Sequence, residues 1–263
     1  MEKRSEEPKG QIKSIAAIRA ELSACSYTDL PAFLAAYGAD TRSGVRSLTQ
    51  KAQNMLHRYE AELVRLEQMR VYERRYADSA ACICGVDEAG RGPLAGPVVA
   101  GAVILPPDCT ILYLNDSKKL SAGRREELFL KIQEEAIASA VGIVDADRID
   151  AINILQATYE AMRQAIAGLD PAPDLLLNDA VTIPQMTIPQ VPIVKGDAKS
   201  VSIAAASILA KVTRDRIMTA YDAQYPAYGF AQHKGYGSAA HIAALKQYGP
   251  CPIHRRSFIG HFV

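Results

Sequence analysis

The sequence has few of the features that mark secreted, membrane-bound or zinc-binding proteins. It contains five cysteines in 263 residues, an odd number, and they lack the paired spacing with histidine that a zinc site requires. No apolar run is long enough to cross a bilayer, and the first ten residues include no hydrophobic core of a signal peptide. We therefore expect no disulfide framework, no zinc site and no membrane span, and we expect a cytoplasmic protein.

Net charge is also nearly absent, since 30 basic and 29 acidic residues leave a formal charge of +1. The balance conceals a segregation along the chain. Residues 1–76 hold 13 basic and 10 acidic residues, residues 77–194 hold 8 and 16, and residues 195–263 hold 9 and 3. An acidic middle and a basic last third suit a protein that binds metal cations and phosphates side by side. The alternative, that these charges only solvate different faces, stays open from charge alone.

Apolar spacing divides the chain into a helical first part and a mixed body. Helical periodicity predicts three helices within residues 1–76, at about 12–22, 31–37 and 41–69. The pattern breaks near residue 76, and residues 77–263 then alternate between strand and helix patterns. The chain is long enough for a core plus a small second domain.

The body is predicted to contain five strands and several helices. The predicted strands are 82–87, 97–105, 139–144, 174–179 and 192–197, of which the first two are antiparallel and the last two are buried parallel strands. The predicted helices begin at Ser121 and cover 147–168, 200–221 and 238–248. This alternation indicates an α/β domain.

Four acidic side chains stand where predicted strands end. Asp87 ends the first strand and Glu88 follows it, and Asp179 and Asp197 end the two buried strands. Because the carboxyl ends of such strands are where open α/β sheets place their sites, we expect these acids to meet. Carboxylate oxygens are the ligands that divalent cations prefer, and four of them suit a pair of such ions.

Four blocks of the sequence resemble type II ribonuclease H. They are DEAGRGPLAGPVVAGAV from Asp87, NDSKKLS from Asn115, KGDAKSVSIAAASILAKVTRD from Lys195, and GFAQHKGYGS with PCPIHRRSF between Gly229 and Phe258. The blocks occur in order and span roughly residues 80–260. The resemblance implies a ribonuclease H-like fold in residues 77–263, with a mixed five-stranded sheet flanked by helices and a helical C-terminal part. Residues 1–76 then form a helical extension, as in certain Gram-positive members.

The resemblance also implies a function. Members of the family are endoribonucleases that cleave the RNA strand of RNA/DNA hybrids and nick duplex DNA 5′ to embedded ribonucleotides, the first step of ribonucleotide excision repair. The products carry 3′-hydroxyl and 5′-phosphate ends, and the cofactor is Mg²⁺ or Mn²⁺, with two ions in the site. Asp87, Glu88, Asp179 and Asp197 match the catalytic, metal-binding acids of the family. A monomer is expected.

Substrate recognition is expected at two places. Gly90, Arg91 and Gly92 match the turn with which the family binds the 2′-hydroxyl, the group that distinguishes RNA from DNA. Tyr236 matches the tyrosine that stacks on the deoxyribose after the ribonucleotide. Phosphate contacts are predicted for four residues of matched or neighbouring segments, namely Lys118, Lys119, Arg125 and Lys211. Arg124 and Arg214 are weaker candidates for the same role.

Two other interpretations are open. The type III enzyme belongs to the same superfamily, but its N-terminal domain is rich in β-structure and its turn reads GKG, whereas this chain has a helical extension and GRG. A duplex-binding module that kept the fold without activity is disfavoured, because all four acids are present.

Overall fold

The structure is a computed structural model, which describes residues 13–263. The chain divides into two compact units, of which the first ends at Arg65 and the second begins at Leu66. Ile12, in the first predicted helix, lies outside the described residues. The domain boundary at residue 76 stays a prediction.

Three helices account for most of the first unit: α1 (Ile15–Ala24), α2 (Leu30–Tyr37) and α3 (Ser43–Met69), whose last four residues belong to the second unit. The hydroxyl of Ser14 caps α1 by accepting from the N–H of Ala17. The apolar stripes of the three helices form one buried cluster, which consists of Ile18, Leu22, Leu30, Phe33, Val45, Leu48 and Ala52. The predicted helical N-terminal region is confirmed.

A five-stranded mixed sheet forms the centre of the second unit. Its strands are β1 (Ile83–Ala89), β2 (Val98–Ile104), β3 (Ala138–Val144), β4 (Leu175–Asp179) and β5 (Gln190–Ile193), in the order β3-β2-β1-β4-β5. β1 is antiparallel to β2 and parallel to β4, and β4 is parallel to β5. The predicted mixed five-stranded sheet is therefore confirmed.

Eight further helices belong to the second unit as the structure describes it. They are α4 (Val71–Tyr76), α5 (Ala122–Glu135), α6 (Ala146–Ile152), α7 (Ile154–Ala167), α8 (Val201–Gln224), α9 (Phe230–His233), α10 (Ala239–Tyr248) and α11 (Arg256–Ile259). Within residues 13–263 no helix has the length and apolarity needed to cross a membrane.

Helices α7 and α8 pack against opposite faces of the sheet. Alternate residues of β2 face different clusters: Ala100 and Ala102 pack with α7, and Val103 packs with α8. Glycine allows both helices to approach closely. A Cβ added to Gly142 of β3 would lie 1.9 Å from the carbonyl oxygen of Ala161 in α7. Any side chain at this position would therefore force the backbone of the strand or the helix to move.

Two predicted elements differ from the structure. The single helix predicted for 147–168 is in fact two helices, α6 and α7, which meet at Asn153. Asn153 has a φ of 66° and caps α7 by accepting from the N–H groups of Leu155 and Gln156. Apolar spacing continues across this break, so periodicity alone could not reveal it. The strand predicted for 192–197 is also displaced, since β5 ends at Ile193.

Gly142→Ala should lower the free energy of unfolding by about 3 kcal/mol or more, because overpacking against backbone cannot relax by a change of rotamer. Gly123→Ala is the matched control, since no atom lies within 4 Å of the added Cβ in the first turn of α5. We expect the control to change stability by less than ~1 kcal/mol and in the stabilising direction. Denaturant unfolding of both variants checks this, and a parent-like midpoint for Gly142→Ala would contradict it.

Candidate active site

Three carboxylates converge at the carboxyl end of the parallel strands. Asp87 lies near the end of β1 and Asp179 ends β4, while Asp197 lies in a 3₁₀ turn, Gly196–Ala198, that follows β5. One oxygen from each lies within 4.8 Å of those of the other two. Asp87 and Asp197 are buried and Asp179 is half-buried. The fold thus brings together groups that are far apart in sequence.

Backbone hydrogen bonds orient two of these carboxylates. Oδ1 of Asp87 accepts from the N–H of Glu88 at 2.7 Å, and Oδ1 of Asp179 accepts from the N–H of Gly196 at 2.7 Å. Lys195, with φ of 59°, turns the chain after β5 and so directs the N–H of Gly196 toward β4. This turn explains why Asp197 reaches the site although the strand has ended four residues earlier.

The acids carry more negative charge than their surroundings neutralise. Burial, and then the charge of Glu88, raise the pKa of Asp87 well above its ordinary value. Burial also raises the pKa of Glu88, although Arg91 opposes this, and burial with the neighbouring Asp116 raises the pKa of Asp197. A bound divalent cation would relieve this repulsion and stabilise the charged forms of the clustered acids.

Glu88 is oriented differently from the three aspartates. It does not belong to the group of oxygens within 4.8 Å found among the described residues. Its carboxylate instead lies 3.5 Å from Nη1 of Arg91, as an ion pair at the rim of the site. The charge of Asp179 nevertheless raises the pKa of Glu88, so the two carboxylates are near each other.

Sequence reasoning missed three polar neighbours of the acids. The charge of Asp116 raises the pKa of Asp197, and the polar side chain of Ser207 lowers the pKa of Asp87. Ser207 also donates to the hydroxyl of Ser117 at 3.0 Å, within a buried pair. Asp116 and Ser117 belong to the NDSKKLS block, so their place beside matched lysines was the available signal. Ser207 lies in α8 among buried alanines, where its sequence context carries no signal for a place beside the acids.

The turn Gly90–Gly92, hereafter the reading turn, lies immediately beyond Glu88. Gly90 is buried with φ of 94°, a left-handed conformation that favours glycine, while Arg91 and Gly92 are exposed. A Cβ added to Gly92 would lie 4.0 Å from Cε1 of Tyr236. Tyr236 is 44% exposed, so an accessible aromatic residue lies beside the turn.

The predicted phosphate-binding residues differ in their surroundings. Lys118 acts on the acids, since its charge lowers the pKa of both Glu88 and Asp197. Nη1 of Arg125 donates to the carbonyls of Ser117 and Leu120, and Nζ of Lys211 pairs with Asp215 at 2.7 Å. Lys119 is exposed, with its Nζ 3.9 Å from Asp116.

Arg214 was a weaker candidate for the same role, and this expectation is wrong. The side chain is fully buried, so it cannot contact a phosphate directly. Its charge in the sequence indicated a surface residue, because buried arginines are rare.

The residues present fit divalent metal ions. Three carboxylates supply hard oxygen ligands within 4.8 Å of one another, and the half-buried Asp179 leaves one side of the cluster accessible. No histidine or cysteine joins this cluster among the described residues, which agrees with a site for Mg²⁺-like rather than zinc-like ions.

Comparison with solved structures defines the class of protein. The ribonuclease H2 of Pyrococcus horikoshii aligns with a TM-score of 0.56 and 32% identity over 66% of this chain and 92% of that one. The RNase HII in a complex with PCNA from Archaeoglobus fulgidus aligns with a TM-score of 0.57 and 28% identity over 66% and 94%. The chain is a hydrolase of the ribonuclease H type.

Sequence comparison identifies the family. The family model described as Ribonuclease HII matches residues 84–261, and the one described as Ribonuclease HII N-terminal domain matches residues 14–77. The Ribonuclease HII of Lachnoclostridium phytofermentans is 61% identical over 85% of this chain and 87% of its own length, and that of Clostridioides difficile is 50% identical over 95% and 98%. The chain belongs to the ribonuclease HII family.

Family membership confirms the endoribonuclease interpretation and excludes the two alternatives. This family acts on RNA/DNA hybrids and depends on divalent metal ions, for which the buried acidic cluster is suited. A non-catalytic module is therefore excluded. The likeness to an RNase HIII, at 18% identity and a TM-score of 0.50, shows the shared fold alone.

Asp87→Asn should stabilise the metal-free protein at neutral pH by about 1 kcal/mol or more, since each unit by which burial raises the pKa of an acid costs roughly 1.4 kcal/mol above that pKa. The folded protein holds protons that the unfolded chain releases near pH 4. The parent's free energy of unfolding should therefore fall as pH rises from about 4 through the raised pKa of Asp87, and the variant should lose less. Chemical unfolding in a chelator at several pH values measures both.

Adding Mn²⁺ should reverse the order, because a ligand that binds only the folded state stabilises it. The parent should gain stability and Asp87→Asn should gain much less. Asp78→Asn, which changes an exposed acid, is the control and should behave as the parent does. Equal stabilisation of the parent and Asp87→Asn by Mn²⁺ would show that Asp87 is not a metal ligand.

Proposed function

We propose that this protein, beyond cleaving RNA/DNA hybrids, nicks duplex DNA 5′ to a single embedded ribonucleotide and leaves 3′-hydroxyl and 5′-phosphate ends. The supporting observation is the short chain distance between Asp87, in the acidic cluster, and the exposed turn at Arg91 and Gly92. A ribose bound at that turn would place its adjoining phosphate beside the carboxylates. One ribonucleotide is enough to occupy such a site.

The proposed metal site is a two-ion centre with Mg²⁺ or Mn²⁺, held by Asp87, Glu88, Asp179 and Asp197. When bound, such ions would supply Lewis-acid chemistry for the in-line attack of water on phosphorus and for departure of the 3′ oxygen. Asp87 and Asp179 are held in place by their backbone hydrogen bonds. Glu88 lies at the rim of the site, where it forms an ion pair with Arg91. This ion pair would have to break before the Glu88 carboxylate could bind a metal ion.

Recognition is proposed to combine a polar and an aromatic contact. The N–H groups of the reading turn would bind the 2′-hydroxyl and its phosphate, and Tyr236 would stack on the next deoxyribose. The adjacency of Gly92 and Tyr236 supports this assignment, since the two groups can contact successive nucleotides. Phosphate contacts that position the duplex are proposed for Lys118, Lys119, Arg125 and Lys211. The active form is proposed to be a monomer.

A DNA duplex with one ribonucleotide tests the activity. With Mg²⁺ the parent should produce one nick 5′ to the ribonucleotide, with a 3′ end that a DNA polymerase extends and a 5′ end that a ligase requires. Asp87→Asn should lower kcat by about 10²–10³-fold or more, because it removes a charge that the reaction requires in a preorganised site. Product mapping and single-turnover rates measure both.

The same duplex without the ribonucleotide is the substrate control, and Asp78→Asn is the protein control. Cleavage of both duplexes at equal rates, or a 3′-phosphate end, would refute the proposed function. Parent-like cleavage by Asp87→Asn would refute the assignment of the site.

Tyr236→Ala should lower kcat/KM for this substrate by about 5- to 150-fold, since aromatic stacking in single-stranded nucleic-acid sites contributes roughly 1–3 kcal/mol. Tyr236→Phe keeps the ring and should stay near the parent. Tyr248→Ala removes another exposed tyrosine and serves as the matched control. A Tyr236→Phe variant as impaired as Tyr236→Ala would show that the hydroxyl, not the ring, is what matters.

A further inference from the structure

Two arginines of the body are completely buried. Arg214 of α8 and Arg255, which immediately precedes α11, are both 0% exposed. Among residues 13–263 neither forms an ion pair with a carboxylate. A buried guanidinium is strongly destabilising unless its donors find acceptors, so the groups that satisfy it must be rigidly placed.

Backbone carbonyls satisfy both guanidinium groups. Arg214 donates to the carbonyl oxygens of Pro97 at 2.9 Å, Ala95 at 3.0 Å and Lys234 at 2.9 Å. Arg255 donates to those of Gly90 at 2.6 Å, Arg91 at 2.9 Å and Gly96 at 2.9 Å. Five of these six acceptors belong to the segment 90–97. The two side chains thus hold the reading turn and the residues that follow it.

These bonds fix the direction of the amide groups. In a planar trans peptide the C=O of one residue and the N–H of the next point to opposite sides. Because the carbonyls of Gly90 and Arg91 point inward to Arg255, the N–H groups of Arg91 and Gly92 point outward. Both residues are exposed, and in the described part of the chain neither N–H has a hydrogen-bond acceptor. Arg255 therefore presents two free donors at the surface.

Arg214 links this turn to the tyrosine. Besides its bonds to Ala95 and Pro97, it donates to Lys234, two residues before Tyr236. Its Cζ lies 5.8 Å from the centroid of the Tyr236 ring. A Cβ added to Gly90 would lie 2.1 Å from Nε of Arg214, so the guanidinium packs directly against the turn. The Arg214 side chain therefore contacts both the reading turn and the segment that carries Tyr236.

We propose that Arg214 and Arg255 are positioning residues for ribonucleotide recognition, which aim the N–H groups of Arg91 and Gly92 and fix the distance from the reading turn to Tyr236 without touching the substrate. This inference rests on the function proposed above. Loss of either guanidinium would let the peptide planes of the turn rotate, and discrimination between ribonucleotide and deoxyribonucleotide would fall.

The charge of the pair supports the same role. Burial, and then repulsion by Arg214, lower the pKa of Arg255 to about 9, and burial lowers the pKa of Arg214 to about 10. Both groups therefore remain largely protonated at neutral pH. Two positive charges without a carboxylate partner lie behind the outward N–H groups, where they favour an anionic phosphate.

Arg255→Lys and Arg255→Gln test the proposal, with Arg256→Lys and Arg256→Gln as matched controls, since the neighbouring Arg256 is exposed. Lysine keeps the charge but cannot reach three carbonyls at once. We expect kcat/KM on the ribonucleotide-containing duplex to fall by about 10- to 100-fold in both Arg255 variants, as misplacement of a recognition group by about 1 Å does. The controls should stay within about twofold, because Arg256 makes no such contact.

Two further readouts separate positioning from a general loss of structure. Affinity for the all-DNA duplex should change by less than about twofold in Arg255→Lys, which keeps the charge, and should fall by only about 2- to 5-fold in Arg255→Gln, which loses one charge near a phosphate. The stabilisation by Mn²⁺ should be retained in both variants. Hydrogen exchange of Leu94 and Gly96, whose N–H groups donate to the carbonyls of Gly235 and Ile253, should accelerate while exchange of β2 does not. If Arg255→Gln does not fold, Arg255→Lys carries the comparison.

Retention of the parental preference for the ribonucleotide in Arg255→Lys and Arg255→Gln would overturn the proposal. So would a parallel loss of all-DNA affinity, Mn²⁺ stabilisation and cleavage, because that pattern indicates a structural role only. A parent protein that does not nick the ribonucleotide-containing duplex would refute the proposed function itself, and this is determined before any variant is compared.

Discussion

Strands β1 and β4 run parallel, with Val86 opposite Asn178, and this pairing determines where the chemistry can occur. The next residue of each strand is an aspartate, so Asp87 and Asp179 emerge at the same edge of the sheet. β5 is parallel to β4, and the turn beyond it adds Asp197 and the N–H of Gly196. Had β1 and β4 been antiparallel, the first two acids would lie at opposite edges.

The same convergence opposes folding, because it places buried like charges together. The packing of α7 and α8 on both sheet faces supplies apolar burial that offsets this repulsion. Glycines such as Gly142 make that packing close, as only hydrogen fits against the facing helix backbone. The apolar packing of the helices therefore stabilises a fold in which the acidic site itself is electrostatically unfavourable without a cation.

Recognition is attached to this site by a short stretch of chain. From Asp87 the backbone passes through Glu88 into the reading turn, and buried guanidinium groups hold the carbonyls of that turn from behind. Arginine suits this task better than lysine, since its planar group offers five donors in fixed directions. The groups proposed to detect a 2′-hydroxyl are thus rigidly connected to those proposed to hold the metal.

Much of this could be predicted from the sequence, because the decisive information is local. An apolar run that ends in an acid predicts both the strand and the direction of its carboxylate, which is why Asp87 and Asp179 were found. Asn153 was missed because a positive φ leaves no trace in apolar spacing. Arg214 was wrongly predicted to be a surface residue, because burial of its charge depends on carbonyl groups that are distant in sequence. Asp116 likewise comes near Asp197, and Ser207 near Asp87, only through tertiary packing.

The central claim, that the three aspartates form one metal centre, is most directly tested by anomalous diffraction from crystals grown with Mn²⁺. The account predicts anomalous density within about 2.0–2.6 Å of carboxylate oxygens of Asp87, Asp179 and Asp197, as for a hard divalent cation with oxygen ligands. Density elsewhere, or an ion bound without these aspartates, would contradict it.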